Sequence, residues 1–589
     1  MCGIVGYAGG DSAAKIIYDG LLKLEYRGYD SAGIAVMEQG KITVAKRVGR
    51  VQKLAPSVQI LEGNIGIGHT RWATHGKPSD ENAHPHTFGK ITVVHNGIIE
   101  NYAELKSELS AEGRIFLSET DSEVIAALID KFYDGDLLKA VIDCARMLKG
   151  SYALLAMCEG EERIVAAKYR SPVILGLGGN GNFVVSDEPA LAGNCPELCV
   201  LEDGDFAVIT PLSVAVYDSM KNPVIRAVYP VAAKEQSIVL RGYPHYMIKE
   251  LWESPSAVSR TLSEFAKVQY GVEKLLKDAK KIILTGCGTA YHAALVGKRY
   301  FCEICKKSAE AEYAGELRYD MPVIGCGTVL VAVTQSGETA DTVEAARLYK
   351  SLNAKVIAVT NCPHSAITRI SDAVVPVAAG PEICVAATKS YSAQIAALLS
   401  MALAVGRSPE CEVLKRELLS APSTILKTLE EIDIYALAEM CARSRGVYFM
   451  GRGIDYALAL EASLKLKEVS YIAGCGYPAS ELKHGALALI DGGTLSVFLI
   501  NDEALASKSA NAVEQTISRG GMVSVITSLR EVGEQFSGRA EVITLPSSNR
   551  YLSPFAAAAA VQFLAYRTAV TLGINPDKPR NLAKSVTVE

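Results

Sequence analysis

The chain has 589 residues, with 60 Lys or Arg against 65 Asp or Glu, a formal charge of −5. At roughly 150 residues per domain, that length predicts two to four separately folding units. The mild acidity excludes a protein that coats nucleic acid or anionic membrane by bulk charge, while leaving room for a local basic pocket. Mean hydropathy is +0.17, yet the longest apolar runs, 395–405 and 555–566, are broken by Ser400 and Gln562 and fall short of the roughly 20 residues a bilayer needs. The opening MCGIVGYAGGDSAAK has no basic n-region and no long apolar h-region, so a cytoplasmic protein is expected. Fourteen scattered cysteines read as small buried hydrophobes of a reducing compartment. Cys302 and Cys305 form an isolated C-x-x-C, and five of the nine histidines (His69, His75, His84, His86, His95) share one stretch without ligand spacing. Those histidines are expected to bond turns and backbone, and no metal site is expected.

In chain order, helices are predicted at 13–24, 102–109 and 123–132, and strands at 33–37, 41–45, 91–95, 152–157 and 183–186, punctuated by Gly and Asn. This is α+β with much antiparallel sheet. The pattern turns irregular between about Tyr229 and Ser256, and a linker is placed at 218–255. Apolar strands then follow at 281–285, 329–334 and 355–360, each leading into a helix, the first of them from Ala290. Such alternation predicts α/β doubly wound parallel sheets with ligands at the strand C-termini. ILTGCGTAYHAAL from Ile283 aligns with YFMGRGIDYALAL from Tyr448 at an offset of 165 residues. That is too long for a solenoid repeat and reads as a duplicated domain. The lobes are placed at 256–420 and 421–575, with a ligand crevice between them and a tail at 576–589.

Cys2 stands behind an initiator Met that is ordinarily trimmed before a small residue. Trimming leaves a thiol and a free α-amine on one residue, and an amine of pKa about 7.7–8.0 can take the thiol proton. The strand-like residues 4–7 argue against a frayed terminus. MCGIVGY, LEYRGYDSAG, GHTRWATHG, HNGIIENY and ETDSEV together resemble the glutaminase domain of class II (N-terminal nucleophile) amidotransferases, which cleave the side-chain amide of glutamine and pass on ammonia. The resemblance implies an αββα sandwich over residues 2–217 with Cys2 as nucleophile. Asn96 and Gly97 would form the oxyanion hole; their competing reading as a hairpin turn is weakened because IIENYAELK reads as helix. Arg71 would pair with the glutamine α-carboxylate and Asp121 with its α-ammonium, while Arg27, Trp72, Thr74 and His75 complete the pocket. Thr120 to Glu123 also reads as a capping box opening a helix, which is compatible with Asp121 binding.

No Walker A sequence is present, and GCGTAY lacks the third glycine of a dinucleotide fingerprint, so ATP, NAD and other cofactors are not expected. The duplicated lobes resemble sugar isomerase (SIS) domains, which bind phosphosugars. Thr334, Gln335, Ser336, Gly337, Glu338 and Thr339 lie between a strand and a helix N-terminus; their hydroxyls and free N–H groups suit a phosphate, with a plain helix cap as the competing reading. Glu461, Lys465 and Glu468 fall on one helix face at i, i+4 and i+7. A solvated stripe is the ordinary reading, but the helix is otherwise largely apolar, so the stripe is expected to face a cleft. ELKHG presents His484, and PRNLAKSVTVE ends the chain with Lys584 in an alternating, extended-looking segment.

Joined to a glutaminase, the SIS resemblance implies transfer of ammonia to fructose 6-phosphate with isomerisation to glucosamine 6-phosphate. His484 would assist ring opening, Lys584 would form a Schiff base at C2, and Glu468 would move a proton between C1 and C2 with support from Lys465 and Glu461. Positions carried over as sugar-phosphate contacts are Cys287, Gly288, Thr289, Thr334, Gln335, Ser336, Thr339, Val385 and Ala583. Ammonia is mostly protonated in neutral water, which implies a dry passage gated by Trp72 and the tail. The resemblance also implies a homodimer. Ala290, Thr334 and Ala387 stand where serine is usual, and Ser480 and Ala486 where glycine and proline are frequent, so one or two sugar contacts lack their usual partner. The alternatives are a phosphosugar deglycase, another class II amidotransferase with a phosphosugar acceptor, and a non-enzymatic phosphosugar sensor.

Overall fold

The computed structural model of the chain describes residues 2–231, 239–320 and 324–586. They form two compact units, one up to Val239 together with the residues from Ala583, the other Leu240–Leu582.

In the first unit, two antiparallel sheets stack. One orders its eight strands Val228–Pro230, Glu197–Val200, Ile174–Gly178, Gly181–Val185, Gly3–Gly9, Ile65–Arg71, Ser31–Glu38 and Lys41–Val48; the other has seven, including the paired long strands Ile91–Ile99 and Gly150–Cys158. Strict alternation shows why the second sheet is buried on both sides. Ala153, Leu155 and Met157 face the inter-sheet core with Ile4, Ile65 and Ile67, whereas Leu154, Ala156 and Cys158 pack under the helices Tyr102–Ala111, Glu123–Phe132 and Leu137–Met147. The helix Ala13–Leu24 covers the outer face of the first sheet with Ile17 and Leu21. The result is an αββα sandwich.

The second unit holds two five-stranded parallel sheets with one strand order. In the first lobe it runs Ser308–Tyr313, Lys281–Gly286, Thr328–Thr334, Lys355–Thr360, Ala373–Pro376; in the second, Gly474–Pro478, Gly446–Gly451, Thr494–Leu499, Met522–Thr527, Glu541–Thr544. The two longest apolar runs lie in the buried helices Lys389–Val405 and Ser553–Thr571. Their polar interruptions bond to nearby backbone: Ser400 donates to the Ala396 carbonyl at 2.8 Å and the Gln562 Nε2 to the Thr388 carbonyl at 3.3 Å. Among the described residues no helix is long and apolar enough to cross a membrane. One hydrophobic cluster runs through both lobes, so they share a core.

Two boundaries differ from the sequence reading. Within the expected linker, Pro223–Val224 and Val228–Pro230 pair with the sheets of the first unit, and a helix Tyr246–Lys277 has already begun. That helix carries Pro255 in its interior, a residue that removes a helical hydrogen bond and disguises the element. Its start is capped from far along the chain, the Asp577 carboxylate accepting from the Tyr246 and Met247 N–H groups at 2.7 Å. Of the linker, 232–238 lie outside the described residues, as do 587–589 of the tail. The described tail from Ala583 to Val586 contains no strand.

Candidate active sites

Cys2 precedes the strand Gly3–Gly9, whose neighbour Ile65–Arg71 delivers Arg71 and, just beyond, Trp72. The Cys2 Sγ accepts a hydrogen bond from the Trp72 N–H at 3.3 Å. Burial pushes the thiol up, opposed by that N–H and the Arg71 guanidinium, so forming a thiolate calls for a base. Asn96 and Gly97 lie within the strand Ile91–Ile99, not in a hairpin turn, and Ile98 and Ile99 are still strand, the helix beginning at Tyr102. Gly97 has φ +142, and a Cβ there would stand 1.9 Å from the Ser151 carbonyl oxygen, so only glycine fits. The Asn96 Nδ2 donates to the Cys2 carbonyl at 3.0 Å. These residues line a cleft with Arg71, Trp72, Thr74, His75, Asp121, Thr120, Ser122, His84 and His95.

Asp121 is buried, its Oδ2 accepting from the Ile99 N–H at 2.9 Å and its Oδ1 from the Ser122 hydroxyl at 3.3 Å. The capping box does not form. Glu123 accepts instead from the Leu117 and Ser118 N–H groups at 2.9 and 2.7 Å, and the Thr120 hydroxyl bonds His86 at 3.1 Å. Arg71 donates to the carbonyls of His75 and Gly76, holding the loop that carries Thr74 and His75. Arg27 stands outside the cleft lining. Its guanidinium is buried against Asp187 at 2.8 Å, which Tyr26 also contacts at 2.5 Å.

Four of the five clustered histidines pack together beside the cleft. His69 stacks on His84 with ring centroids 4.0 Å apart, and His84 meets His86 edge-on at 4.6 Å. The His95 N–H donates to His84 Nδ1 at 3.2 Å, and His95 Nδ1 lies 2.9 Å from the Ser122 hydroxyl. Burial pushes all four below the usual histidine range, His69 down to about 3.

In the second unit, the turn after Thr328–Thr334 is tight. The Thr334 hydroxyl accepts from the Gly337 N–H at 3.2 Å and lies 3.4 Å from the Thr339 hydroxyl, while Ser336 Oγ accepts from the Glu338 N–H at 3.2 Å. The other lobe contributes Ile454–Ser470, whose charged stripe is internal. Glu461 is fully buried and Lys465 is 1% exposed. The Lys465 ammonium stands 2.5 Å from Glu468 and 3.7 Å from Glu461. Burial works to discharge that lysine, but the two carboxylates outweigh it and raise its pKa. Glu461 crosses between lobes, its Oε1 accepting from the Thr289 hydroxyl at 3.1 Å and its Oε2 from His292 Nδ1 at 2.7 Å. His292 was not singled out from sequence. The available signal was the repeat itself, which aligns its helix with the one bearing Glu461.

Cys287 lies 3.6 Å from Thr342, and Val385 is tied through its N–H to the Asp577 carbonyl at 3.4 Å. His484 is exposed at the end of a short 3₁₀ turn, Leu482–His484. Ala583 and Lys584 belong to the first compact unit, so the structure does not group them with the other sugar candidates. Among the described residues no cluster of His, Cys, Asp and Glu suits a metal ion.

The fold and the cleft define a class II glutamine amidotransferase joined to a pair of sugar isomerase lobes. Family models agree: a glutamine amidotransferase domain matches residues 69–191, and the SIS domain matches twice, at 275–404 and 440–572. The chain is 41% identical over 617 residues to the glutamine–fructose-6-phosphate aminotransferase [isomerizing] of Clostridium tetani and 43% identical over 599 residues to that of Aquifex aeolicus, each match covering 100% of both chains. The solved C-terminal domain of glucosamine-fructose-6-phosphate aminotransferase from Francisella tularensis is 32% identical, with a TM-score of 0.55 over 58% of this chain and 99% of that one. The chain belongs to the family of isomerising glutamine–fructose-6-phosphate aminotransferases.

Proposed function

We propose that the protein converts L-glutamine and D-fructose 6-phosphate into L-glutamate and D-glucosamine 6-phosphate. The observation that carries the glutamine half is the convergence of Cys2, Arg71, Asn96, Gly97 and Asp121 on one cleft. With Met1 removed, the Cys2 α-amine takes the thiol proton and the thiolate attacks the side-chain amide carbon. The Asn96 Nδ2 and Gly97 N–H groups stabilise the oxyanion, ammonia leaves with the proton returned to it, and water hydrolyses the γ-glutamyl thioester. Arg71 and Asp121 hold the α-carboxylate and α-ammonium of the substrate.

For the acceptor half, full-length identity above 40% to relatives named for this reaction supports the reading. The hydroxyls and N–H groups of Thr334, Gln335, Ser336 and Thr339 take the phosphate. His484 assists ring opening, Lys584 forms the Schiff base at C2, and Glu468 shuttles the proton between C1 and C2. The Lys465 ammonium pins the Glu468 carboxylate in place, and Glu461 anchors the lysine. The enzyme is assigned to the cytoplasm and to a homodimer. Incubation with glutamine and fructose 6-phosphate, followed by assay for hexosamine 6-phosphate, tests the reading. Glutamate without amino sugar would point to another acceptor, and neither product would point to a phosphosugar sensor.

A further inference from the structure

The proposed oxyanion hole depends on which way round the Asn96 amide lies, and the amide cannot set this alone. Its oxygen and nitrogen are nearly the same size, and a flipped amide would turn an acceptor toward both the Cys2 carbonyl and the developing oxyanion. The Cys2 carbonyl and the buried histidines together fix the choice. His69 is wholly buried, and its Nε2 lies 3.0 Å from the His95 carbonyl oxygen and 3.0 Å from Asn96 Oδ1. A backbone carbonyl only accepts, so Nε2 carries the proton. That proton in turn requires the oxygen of Asn96 to face His69, which leaves Nδ2 to face Cys2. The remaining ring nitrogen, Nδ1, is buried with no hydrogen-bond partner, as fits a neutral ring with its single proton on Nε2. The ring plane is fixed by stacking on His84, 12° from parallel. His84 is itself fixed by the His95 N–H.

We propose that His69 is a positioning residue for glutamine hydrolysis, acting through Asn96 and touching no substrate. The inference rests on the amidotransferase reading above. One N–H of the Asn96 amide holds the Cys2 carbonyl, and the second is thereby aimed at the oxyanion. Losing His69 removes one of the two contacts that orient the amide, the other being the Cys2 carbonyl, which loosens the aim of the second N–H and weakens a donor to the transition state while leaving the Arg71 and Asp121 contacts to the bound substrate in place.

The test compares His69→Gln, His69→Asn, His69→Leu, Asn96→Ala and the double variant H69L/N96A. Expected is a fall in glutaminase kcat of about 10²–10³ for H69L, the cost of one oxyanion donor, with KM for glutamine within about threefold. Inhibition by glutamate γ-semialdehyde, whose aldehyde adds to the thiol to give a tetrahedral adduct, should weaken by a similar factor. The double variant should be no worse than N96A. Glutamine at position 69 places an N–H near the site of Nε2 and asparagine near that of Nδ1, so H69Q should exceed H69N by about tenfold or more. This conservative pair decides the matter if the leucine variant does not fold. Equal H69Q and H69N rates, multiplicative losses in the double variant, or a loss confined to KM would overturn the proposal. A wild-type protein inert toward glutamine would overturn the amidotransferase reading and this proposal together, whereas an active wild type with undiminished H69L would overturn this proposal alone.

Discussion

Gly337→Ala tests the candidate phosphate turn. Gly337 has φ +67, and a Cβ there would stand 1.9 Å from Ser365 Oγ and 2.4 Å from Ser365 Cβ. Rotating the serine hydroxyl away cannot relieve a contact with its Cβ, so backbone must move by about 1 Å to reach an ordinary separation. The turn has little room to do so, because the Gly337 N–H is bound by Thr334 and its carbonyl accepts from the Ile367 N–H at 3.1 Å. Opening the turn displaces donors meant for a dianion, and a hydrogen bond to a charged group contributes about 1.5–3 kcal/mol. Losing one therefore raises KM for fructose 6-phosphate about 10–100-fold. Left-handed strain adds about 1–2 kcal/mol to the cost of folding, and Gly520→Ala isolates that component. Gly520 has φ +73 with nothing within 4 Å of the added carbon, and should lower the melting temperature while leaving KM alone. The assay is ammonia-driven formation of hexosamine 6-phosphate against sugar concentration, alongside glutamine hydrolysis as a reporter of the other unit. A G337A enzyme with KM within twofold of wild type, or a G520A enzyme with the same rise, refutes the reasoning.

Cys2→Ala should abolish glutamine use while sugar isomerisation stays measurable, and Lys584→Ala should do the reverse; glutamine-dependent synthesis by C2A would break the two-site scheme. The four buried histidines give the first unit a defined acid sensitivity. Their folded pKa values lie below the unfolded 6.5, so their contribution is present above that value and is lost as pH falls, by about 2 kcal/mol for His69 between pH 7 and 5. Hydrogen exchange in Ile65–Arg71 and Ile91–Ile99, corrected for intrinsic rates, should show falling protection over that range, and constant protection would contradict it. Asp455 runs the other way, because burial raises it to about 6. Its contribution is fullest below about 3.8 and is lost as pH rises through 6, so between pH 7 and 5 it stabilises the second lobe by about 1 kcal/mol. Exchange in Thr494–Leu499 reads this, and the effect should vanish in Asp455→Ala.

Much of the first unit was legible because its period-2 and period-3.6 patterns are unbroken: the helices Ala13–Leu24 and Glu123–Phe132 fall where the sequence places them. What was not legible depends on distant partners. Asn96-Gly97 is a turn signal by composition, but pairing with Gly150–Cys158 holds it extended. The capping box failed because Glu123 finds better-placed donors in the chain at Leu117 and Ser118. Arg27 reads as a pocket arginine, but its pairing with Asp187, 160 positions away, was not legible. Bonding of the clustered histidines to backbone was expected, but their stacking beside the cleft was not, since it joins two sheets. The stripe Glu461, Lys465 and Glu468 was readable from spacing, whereas the partner that anchors it, His292, lies in the other lobe.

The two lobes show how duplicated folds come to differ in use. Gly288 and Gly453 occupy matching positions with nearly the same backbone, φ +53 and +60, both with ψ −123. Each opens a helix after the second strand of its sheet, and the sheets share one strand order. The divergence lies two residues later and across the sheet. Where the first lobe has Ala290, the second has Asp455, whose carboxylate accepts from the Asn501 N–H at 2.8 Å and from its Nδ2 at 2.9 Å. Asn501 passes the constraint on, its Oδ1 accepting from the Ser528 N–H at 2.8 Å. Asn501 lies in the turn corresponding to Thr334–Thr339, and that turn is short, its helix beginning at Glu503 behind a capping Asp502. An internal carboxylate thus occupies the Asn501 donors, and a further acidic residue, Asp502, stands beside it. A dianionic phosphate would meet like charge there. The lobes thus differ at position 455 and in the turn after Leu499, while Glu461 of the second lobe reaches Thr289 and His292 of the first.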